Sequence, residues 1–195
     1  MLSKDQRLFF LRWLKSPWYY GNPLPSSKAL GRAMAAQLSG IGPDEYVVEL
    51  GPGSGVVTRA LCQTGLPQNR LIIIERDDAF IAQLRRDFPQ ALVLQEDACN
   101  LQDILKRYEI SEVAAVVSSL PLLSIPDKAR EAIVRAVFKV VKADGMLIQY
   151  TYGLLSPVPK RYQQANGIRG RVAKRIWGNF PPARVWRYTS EEASA

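Results

Sequence analysis

The sequence predicts an α/β fold in which a mostly parallel β-sheet is flanked by helices. Short apolar, β-branched segments alternate along the chain with segments of helical apolar spacing. The first strand passes directly into a glycine-rich turn and a helix within 46–61. Alternation of this kind requires right-handed crossovers, which place a ligand crevice at the carboxyl ends of the strands.

The elements can be assigned in chain order. Residues 2–15 fit a helix that Ser16 and Pro17 end, and a second helix opens at Pro25-Ser26-Ser27, with Ser26 or Ser27 as N-cap, and runs to about Leu38. We predict strands at 46–50, 71–75, 91–95, 113–119 and 145–152, helices at 56–63, 78–87, 100–108 and 127–142, and an added edge strand at 183–188. Residues 1–20 are expected to form an amphipathic helix with a linker, and residues 21–195 the main domain.

Composition excludes several classes of function. The 195 residues contain no histidine, which removes Ser-His-Asp and Cys-His catalysis and most metal sites, so no metal is expected. Cys62 and Cys99 are the only cysteines, which is typical of a reducing cytoplasm. Lys4, Asp5 and Arg7 interrupt the early apolar residues, so no signal peptide is apparent, and no apolar run reaches the roughly 20 residues of a membrane span.

The net charge of +8 lies mainly at the two ends of the chain. Residues 1–43 contain six basic residues and one acid, whereas residues 44–144 contain twelve basic and fifteen acidic residues. No acid occurs from Met146 to Ser190, where arginines alternate with aromatic residues. This asymmetry indicates a polyanionic partner, either an anionic membrane or a nucleic acid.

The first helix has the pattern of a helix that lies in a membrane interface. At 100° per residue its large apolar side chains share one broad face and most of its charges the other, although Leu8 falls among the charges. An ordinary amphipathic helix packed on its own domain is the alternative. The residues expected to contact membrane or substrate are Phe9, Phe10, Arg12, Trp13, Lys15, Lys160 and Arg161.

The glycine turn distinguishes between nucleotide cofactors. The dinucleotide motif G-x-G-x-x-G fails because Val56 occupies its last position. Glu49-x-Gly51-x-Gly53-x-Gly55 instead resembles the first motif of class I S-adenosylmethionine methyltransferases. The resemblance implies that Glu49 lies near the methionine ammonium and that the glycines line the methionine and ribose.

Acidic residues follow the next two strands at the positions that such a cofactor requires. Glu75 at the end of the second strand is placed to accept hydrogen bonds from the ribose hydroxyls, and Asp97 after the third is expected to accept one from the adenine amino group. Acids here could also be simple helix N-caps. The full set of expected cofactor-binding residues is Ser26, Ser27, Glu49, Gly51, Pro52, Gly53, Ser54, Gly55, Glu75, Arg76, Asp97, Ala98 and Ser118.

The segment after the fourth strand, Ser119-Leu120-Pro121-Leu122-Leu123, should face the methyl group to be transferred. Methyltransferases of exocyclic base nitrogens usually carry Asn/Asp-Pro-Pro-Tyr or a close relative there, and this segment has neither the amide nor the aromatic residue. Loss of base stacking costs about 1–3 kcal/mol, which argues against a nucleic-acid acceptor. The candidate catalytic residues are Ser119, Leu120, Tyr150 and Tyr152.

Together these motifs resemble those of the bacterial phosphatidylethanolamine N-methyltransferases, the small type related to rRNA adenine dimethyltransferases. The resemblance rests on 49–55, 119–123 with Pro126, 149–153 with Ser156-Pro157, and Pro181-Pro182-Ala183 before Trp186. It implies a seven-stranded class I methyltransferase fold of Rossmann-like type and methyl transfer from S-adenosylmethionine to phosphatidylethanolamine, towards phosphatidylcholine. It also implies a cytoplasmic, peripherally membrane-associated enzyme that binds anionic lipids, with no protein partner evident. An rRNA adenine dimethyltransferase-like activity is the alternative.

Overall fold

A computed structural model describes residues 28–177 and 182–191 of the chain. The predicted membrane helix, with Phe9, Phe10, Arg12, Trp13 and Lys15, and the predicted N-caps Ser26 and Ser27 lie outside these residues. The described helices are α1 Lys28–Ala35, α2 Val56–Cys62, α3 Asp78–Asp87, α4 Leu101–Arg107, α5 Asp127–Phe138 and α6 Lys160–Ala165. The described strands are β1 Val47–Leu50, β2 Leu71–Glu75, β3 Leu92–Gln95, β4 Val113–Ser118, β5 Val141–Thr151, β6 Ile168–Ile176 and β7 Ala183–Ser190.

The described strands form one sheet in the order β3-β2-β1-β4-β5-β7-β6. Neighbours from β3 to β5 are parallel, whereas β7 is antiparallel to both β5 and β6. Strand order reverses between β1 and β4, so the crevice expected of an open α/β sheet lies at their carboxyl ends. The predicted class of fold is therefore confirmed.

Apolar side chains on both faces of the sheet explain why strands β1 to β4 are almost uninterrupted hydrophobic runs. One face packs Val48 and Val116 against α4 and α5, and the other packs Val47 and Ala115 against α1, α2 and α3. Within the described residues no helix is both long enough and apolar enough to span a bilayer.

Two predicted boundaries around the fifth strand were wrong. The helix predicted at 127–142 ends at Phe138, and the strand predicted to begin at 145 begins at Val141. The reason is that Val141 already pairs with Val113, and the chain then departs from the ladder and rejoins it where Met146 pairs with Ala115. Residues 142–145 of this irregularity, Lys-Ala-Asp-Gly, resemble a turn and conceal the start of the strand in the sequence.

The basic segment after β5 also contains regular structure that the sequence analysis did not assign. Helix α6 and strand β6 occupy it, and β6 pairs with β7 along Ile168–Ile176. The strand predicted at 183–188 is present and continues to Ser190, but its predicted edge position was wrong, because β7 lies between β5 and β6 and the edge is formed by β6. Since β7 is antiparallel to both of its neighbours, β6 runs in the same direction as β5, and both end at the carboxyl edge of the sheet.

Candidate functional site

The glycine turn after β1 leaves open space at the carboxyl edge. Gly51 and Gly53 both have positive φ, +64° and +55°, which side chains rarely adopt. A Cβ on Gly53 would meet no atom within 4 Å, so the turn presents bare backbone to the crevice. A Cβ on Gly55 would instead lie 3.0 Å from the Phe88 ring, so this glycine permits close packing of the turn against the end of α3.

Glu75 fixes the turn to the end of β2. Its Oε2 accepts the N–H of Gly53 at 3.1 Å, and its Oε1 accepts the N–H groups of Arg76 and Asp77 at 2.7 and 2.9 Å. Each carboxylate oxygen has two lone-pair sites, so acceptor capacity remains for a hydroxyl-bearing ligand. The carboxylate thus lies between the glycine turn and the loop that follows β2, and ribose binding by Glu75 stays a prediction.

The predicted adenine end of the crevice lies beyond β3. Asp97 Oδ2 lies 3.6 Å from Arg76 Nη1, so two predicted cofactor residues from neighbouring loops are brought together. Asp97 Oδ1 also accepts the N–H of Cys99 at 2.9 Å, so the residue is an N-cap as well. Its side chain remains 43% exposed, which leaves it accessible to a ligand, and Ala98 follows it in the short turn before α4.

Glu49 is a carboxyl group enclosed in the core. It is fully buried in β1, between Ile73 and Val117, and neither carboxylate oxygen has a hydrogen-bond partner among the described residues. Burial raises the pKa of Glu49 to about 8; the Glu75 carboxylate adds to the rise, and the nearby Thr58 hydroxyl, which is not hydrogen-bonded to Glu49, opposes it. A buried carboxylate without a partner favours binding of a cation.

The loop after β4 closes the crevice opposite the glycine turn. A Cβ on Gly51 would lie 2.5 Å from Leu120 Cδ2, so only glycine there permits this close approach. Ser118 Oγ accepts the N–H of Leu120 at 3.3 Å, and the Ser119 N–H donates to Leu50 O at 2.9 Å. The predicted acceptor loop is therefore held at the point where the strand order reverses.

The carbonyl of Leu120 is already occupied. It accepts the Leu122 N–H at 2.9 Å and Gln149 Nε2 at 3.0 Å, which together use both of its lone pairs. If a backbone carbonyl of the two candidate catalytic residues in this loop orients an acceptor amine, it is therefore that of Ser119 rather than that of Leu120. Ser119 Oγ is also buried, with no hydrogen-bond partner among the described residues.

Tyr150 and Tyr152 extend the same edge beyond β5. Their rings meet edge to face, with centroids 5.7 Å apart, because residues two apart on a strand project from one side of the sheet. Tyr150 is partly buried against the cluster that contains Val117 and Ile148, and Tyr152 is 37% exposed. The pair therefore reaches from the protein interior to the surface at the carboxyl end of β5.

Lys160 and Arg161, two of the residues expected to contact membrane or substrate, begin α6. Arg161 Nη2 lies 2.9 Å from Asp127 Oδ2, and its side chain is 70% exposed. Lys160 is also exposed. Arg161 would therefore have to share its charge between Asp127 and any lipid phosphate, whereas Lys160 projects from the start of the helix.

Comparison with known proteins agrees with this geometry. Residues 47–145 match the family described as "Methyltransferase domain". An ornithine lipid N-methyltransferase of Singulisphaera acidiphila is 30% identical over 83% of this chain and 82% of its own length. A ribosomal RNA small subunit methyltransferase A of Thermotoga petrophila is 32% identical over 66% of this chain and 51% of its own length.

The chain belongs to the S-adenosylmethionine-dependent methyltransferases. Solved structures show the same fold at low sequence identity. The magnesium protoporphyrin IX methyltransferase of Synechocystis with bound cofactor has a TM-score of 0.67 at 13% identity, over 97% of this chain and 98% of its own. The 1,6-didemethyltoxoflavin-N1-methyltransferase of Burkholderia thailandensis has a TM-score of 0.70 at 12% identity, over 97% and 92%.

The described residues of the methyltransferase fit S-adenosylmethionine, its cofactor. The open space over Gly53 accommodates a ligand against the backbone, and the unpartnered carboxyl of Glu49 suits a cationic group. Glu75 and Asp97 lie along the same edge, at the ends of the next two strands. The other predicted members of the set in the described region, Pro52, Ser54, Arg76, Ala98 and Ser118, belong to the loops that border this crevice or to the last position of β4.

Gln149 is a residue of the methyltransferase site for which the sequence predicted no role. It is fully buried, and its Nε2 donates to Leu120 O at 3.0 Å and to Tyr150 O at 2.8 Å. It therefore ties the acceptor loop to β5. The signal in the sequence was a single amide within the apolar run of β5, since a buried polar side chain needs a specific partner.

Proposed function

We propose that this methyltransferase acts on the primary amine of a membrane lipid, with phosphatidylethanolamine as the acceptor and phosphatidylcholine as the product of repeated transfer. The observation that carries the proposal is the acceptor loop: residues 119–123 border the crevice and contain neither an aromatic ring nor a side-chain amide. A flipped base would find no stacking partner in this loop.

The relative that methylates ornithine lipid supports an amine-bearing lipid as substrate. Ornithine lipid and phosphatidylethanolamine share a primary ammonium group, and the anionic phosphate of the latter suits the basic residues Lys160 and Arg161. The enzyme is proposed to work at the cytoplasmic surface of a membrane, with the helix of residues 2–15 as one contact. Ornithine lipid is the second candidate substrate because of this relative.

The acceptor must lose a proton before it can attack. Its ammonium has a pKa near 10 in water, and S-adenosylmethionine supplies the electrophilic methyl group on its sulfonium. The apolar side chains of Leu120 and the exposed Leu123 would desolvate an amine bound at this loop, and desolvation lowers the pKa of an amine. The Ser119 carbonyl, Tyr150 and Tyr152 then orient the lone pair, and with no histidine in the chain the proton leaves to water.

An rRNA adenine methyltransferase is the competing function, because several relatives are ribosomal RNA small subunit methyltransferases A. The purified protein should be incubated with methyl-labelled S-adenosylmethionine and, separately, phosphatidylethanolamine vesicles, ornithine lipid vesicles and small-subunit rRNA. We expect label in phosphatidylethanolamine. Label in ornithine lipid alone would change the substrate but retain the class, and label in RNA alone would reject the proposal.

A further inference from the structure

The exposed apolar side chains of the protein are concentrated at one edge of the sheet. Of the six large hydrophobic residues that are exposed in the described part of the chain, five follow carboxyl ends of strands. We call these five the apolar rim: Leu123, Tyr152, Leu154, Leu155 and Trp177. The sixth, Tyr108, ends α4 and lies at the opposite edge, where β4 begins.

The topology brings the rim together. Leu123 belongs to the loop after β4, and Tyr152, Leu154 and Leu155 follow β5. Trp177 follows β6, whose Arg175 pairs with Arg184 of β7, which in turn pairs with Thr151 at the end of β5. The rim therefore runs along the acceptor half of the carboxyl edge.

Contacts between loops hold the most exposed residues in place. A Cβ on Gly153 would lie 2.7 Å from Leu123 Cδ1, so the loops after β4 and β5 touch. Arg184 Nη1 donates to Gly153 O at 2.9 Å, and Ser156 Oγ lies 2.8 Å from the Tyr188 hydroxyl oxygen. Leu154 and Leu155, each 77% exposed, are thus presented between two anchored points.

Charge along the same edge indicates what the rim contacts. On the cofactor half, acids predominate from the end of β2 to the start of α3 and after β3, namely Glu75, Asp77, Asp78 and Asp97, and the one base among them, Arg76, is paired with Asp97. On the acceptor half, basic residues near the strand ends and at the start of α6 surround the rim: Lys160, Arg161, Lys174, Arg175 and Arg184. The nearby Asp127 is already paired with Arg130 and Arg161.

We propose that the apolar rim is a membrane-docking surface, which inserts into the interface of an anionic lipid bilayer and sets the mouth of the acceptor site against it. An apolar centre with cationic flanks matches acyl chains beneath anionic headgroups. The inference rests on the proposed lipid function for its biological role, but the docking itself can be measured without any methyl transfer. It is distinct from the helix predicted at residues 2–15.

The test uses full-length variants Leu154→Gln/Leu155→Gln and, on a separate strand end, Trp177→Gln. Tyr108→Gln, an exposed aromatic at the opposite edge, is the matched control. Binding to vesicles of phosphatidylethanolamine and phosphatidylglycerol is measured by sedimentation over a range of lipid concentrations. Calorimetry with S-adenosylmethionine verifies that each variant is folded, because none of these residues lies in the cofactor crevice.

We expect each rim variant to bind vesicles at least about tenfold more weakly, and the Tyr108 variant to stay within about twofold. When two parts of one protein bind the same membrane, their contributions to the affinity multiply. A rim variant should therefore lose vesicle affinity even though residues 2–15 also bind the membrane. Rim variants that bind vesicles like the wild type overturn the proposal. Rim variants that keep vesicle binding but lose rRNA binding or self-association also overturn the proposal, because the rim would then contact RNA or a second copy of the chain instead of a membrane.

A methylation assay separates this inference from the proposed function. If the wild type methylates phosphatidylethanolamine while the rim variants keep vesicle binding, the docking surface is refuted and the function stands. If the wild type methylates no lipid but the rim variants lose vesicle binding, the function fails and the docking surface stands. If both hold, the rim variants should retain turnover on monomeric short-chain phosphatidylethanolamine and lose it on vesicles.

Discussion

The buried carboxyl of Glu49 predicts that S-adenosylmethionine binding is coupled to proton release. With a pKa of about 8, Glu49 is roughly 90% protonated in the free protein at pH 7. A methionine ammonium beside it favours the charged carboxylate, so the bound state should ionise Glu49 and release nearly one proton. Affinity should therefore rise with pH, because deprotonation of Glu49 is required for tight binding.

The expected size of the effect follows from the same pKa. If the ammonium restores a value near 4.5, the association constant should rise about 30-fold from pH 5.5 to pH 7.0. The rise should end near pH 7.7, where the α-amino group of the ligand loses its own proton. Titration calorimetry in buffers of different ionisation enthalpy measures both the affinity and the number of protons released.

Two variants isolate the contribution of Glu49. Glu49→Gln should bind with no pH dependence over this range and should approach the wild-type affinity at pH 5.5, where the wild type is protonated. Glu75→Gln should weaken binding at every pH and leave the slope unchanged, because Glu75 is assigned to the ribose. A wild-type affinity that stays constant within threefold, or a slope that persists in Glu49→Gln, would refute the reasoning.

The remaining predictions concern the turn, the acceptor loop and the first helix. Gly53→Ala should abolish cofactor binding. Gly167→Ala is the matched control: its φ is +56° and its surroundings are equally open, so it should lose a similar stability of about 1 kcal/mol in thermal unfolding but keep cofactor binding in calorimetry. Equal cofactor binding by both variants would contradict the assignment of the crevice at Gly53. Gln149→Leu should lower kcat at least about tenfold and leave the cofactor Kd within twofold, because it removes the hydrogen bond that holds the acceptor loop but leaves the cofactor crevice intact. An unchanged kcat would show that this hydrogen bond does not position the acceptor loop. Trp13→Ser should weaken vesicle sedimentation and spare cofactor binding, and unaltered sedimentation would count against the first helix as a membrane contact.

The sequence was most informative where residue type and chain direction act together. The ends of β1, β2 and β3 were predictable because each apolar run stops at a glycine turn or an acid, and parallel strands place these ends at one edge. Strand β6 was missed because its arginines and lysines were interpreted as a binding surface, although they occupy an edge strand. Basic residues are common on such edges, where they hinder pairing with other chains.

Exposure was the property that the sequence could not supply. In the sequence, Leu154 and Leu155 look like core residues. Only the structure of the anchored loop after β5 shows that their side chains are exposed. The hydrogen bonds of Gln149 were equally hidden, because its partner Leu120 lies 29 positions earlier. Contacts of this range depend on the strand order, which local pattern does not determine.

The reversal of strand order would allow one edge to serve both a cationic cofactor and the proposed anionic membrane surface. Strands β2 and β3 extend to one side of β1, and their terminal acids Glu75 and Asp97 lie on that side. Strands β4 and β5 extend to the other side, with β7 and β6 beyond them and their basic and apolar loops at the same edge. Leu120 against Gly51 marks the boundary, so the proposed acceptor would meet a methyl donor on the acidic side where the charge changes sign. Opposite charges held apart by a rigid sheet do not neutralise each other, because interactions between exposed charges fade beyond about 10 Å in physiological salt.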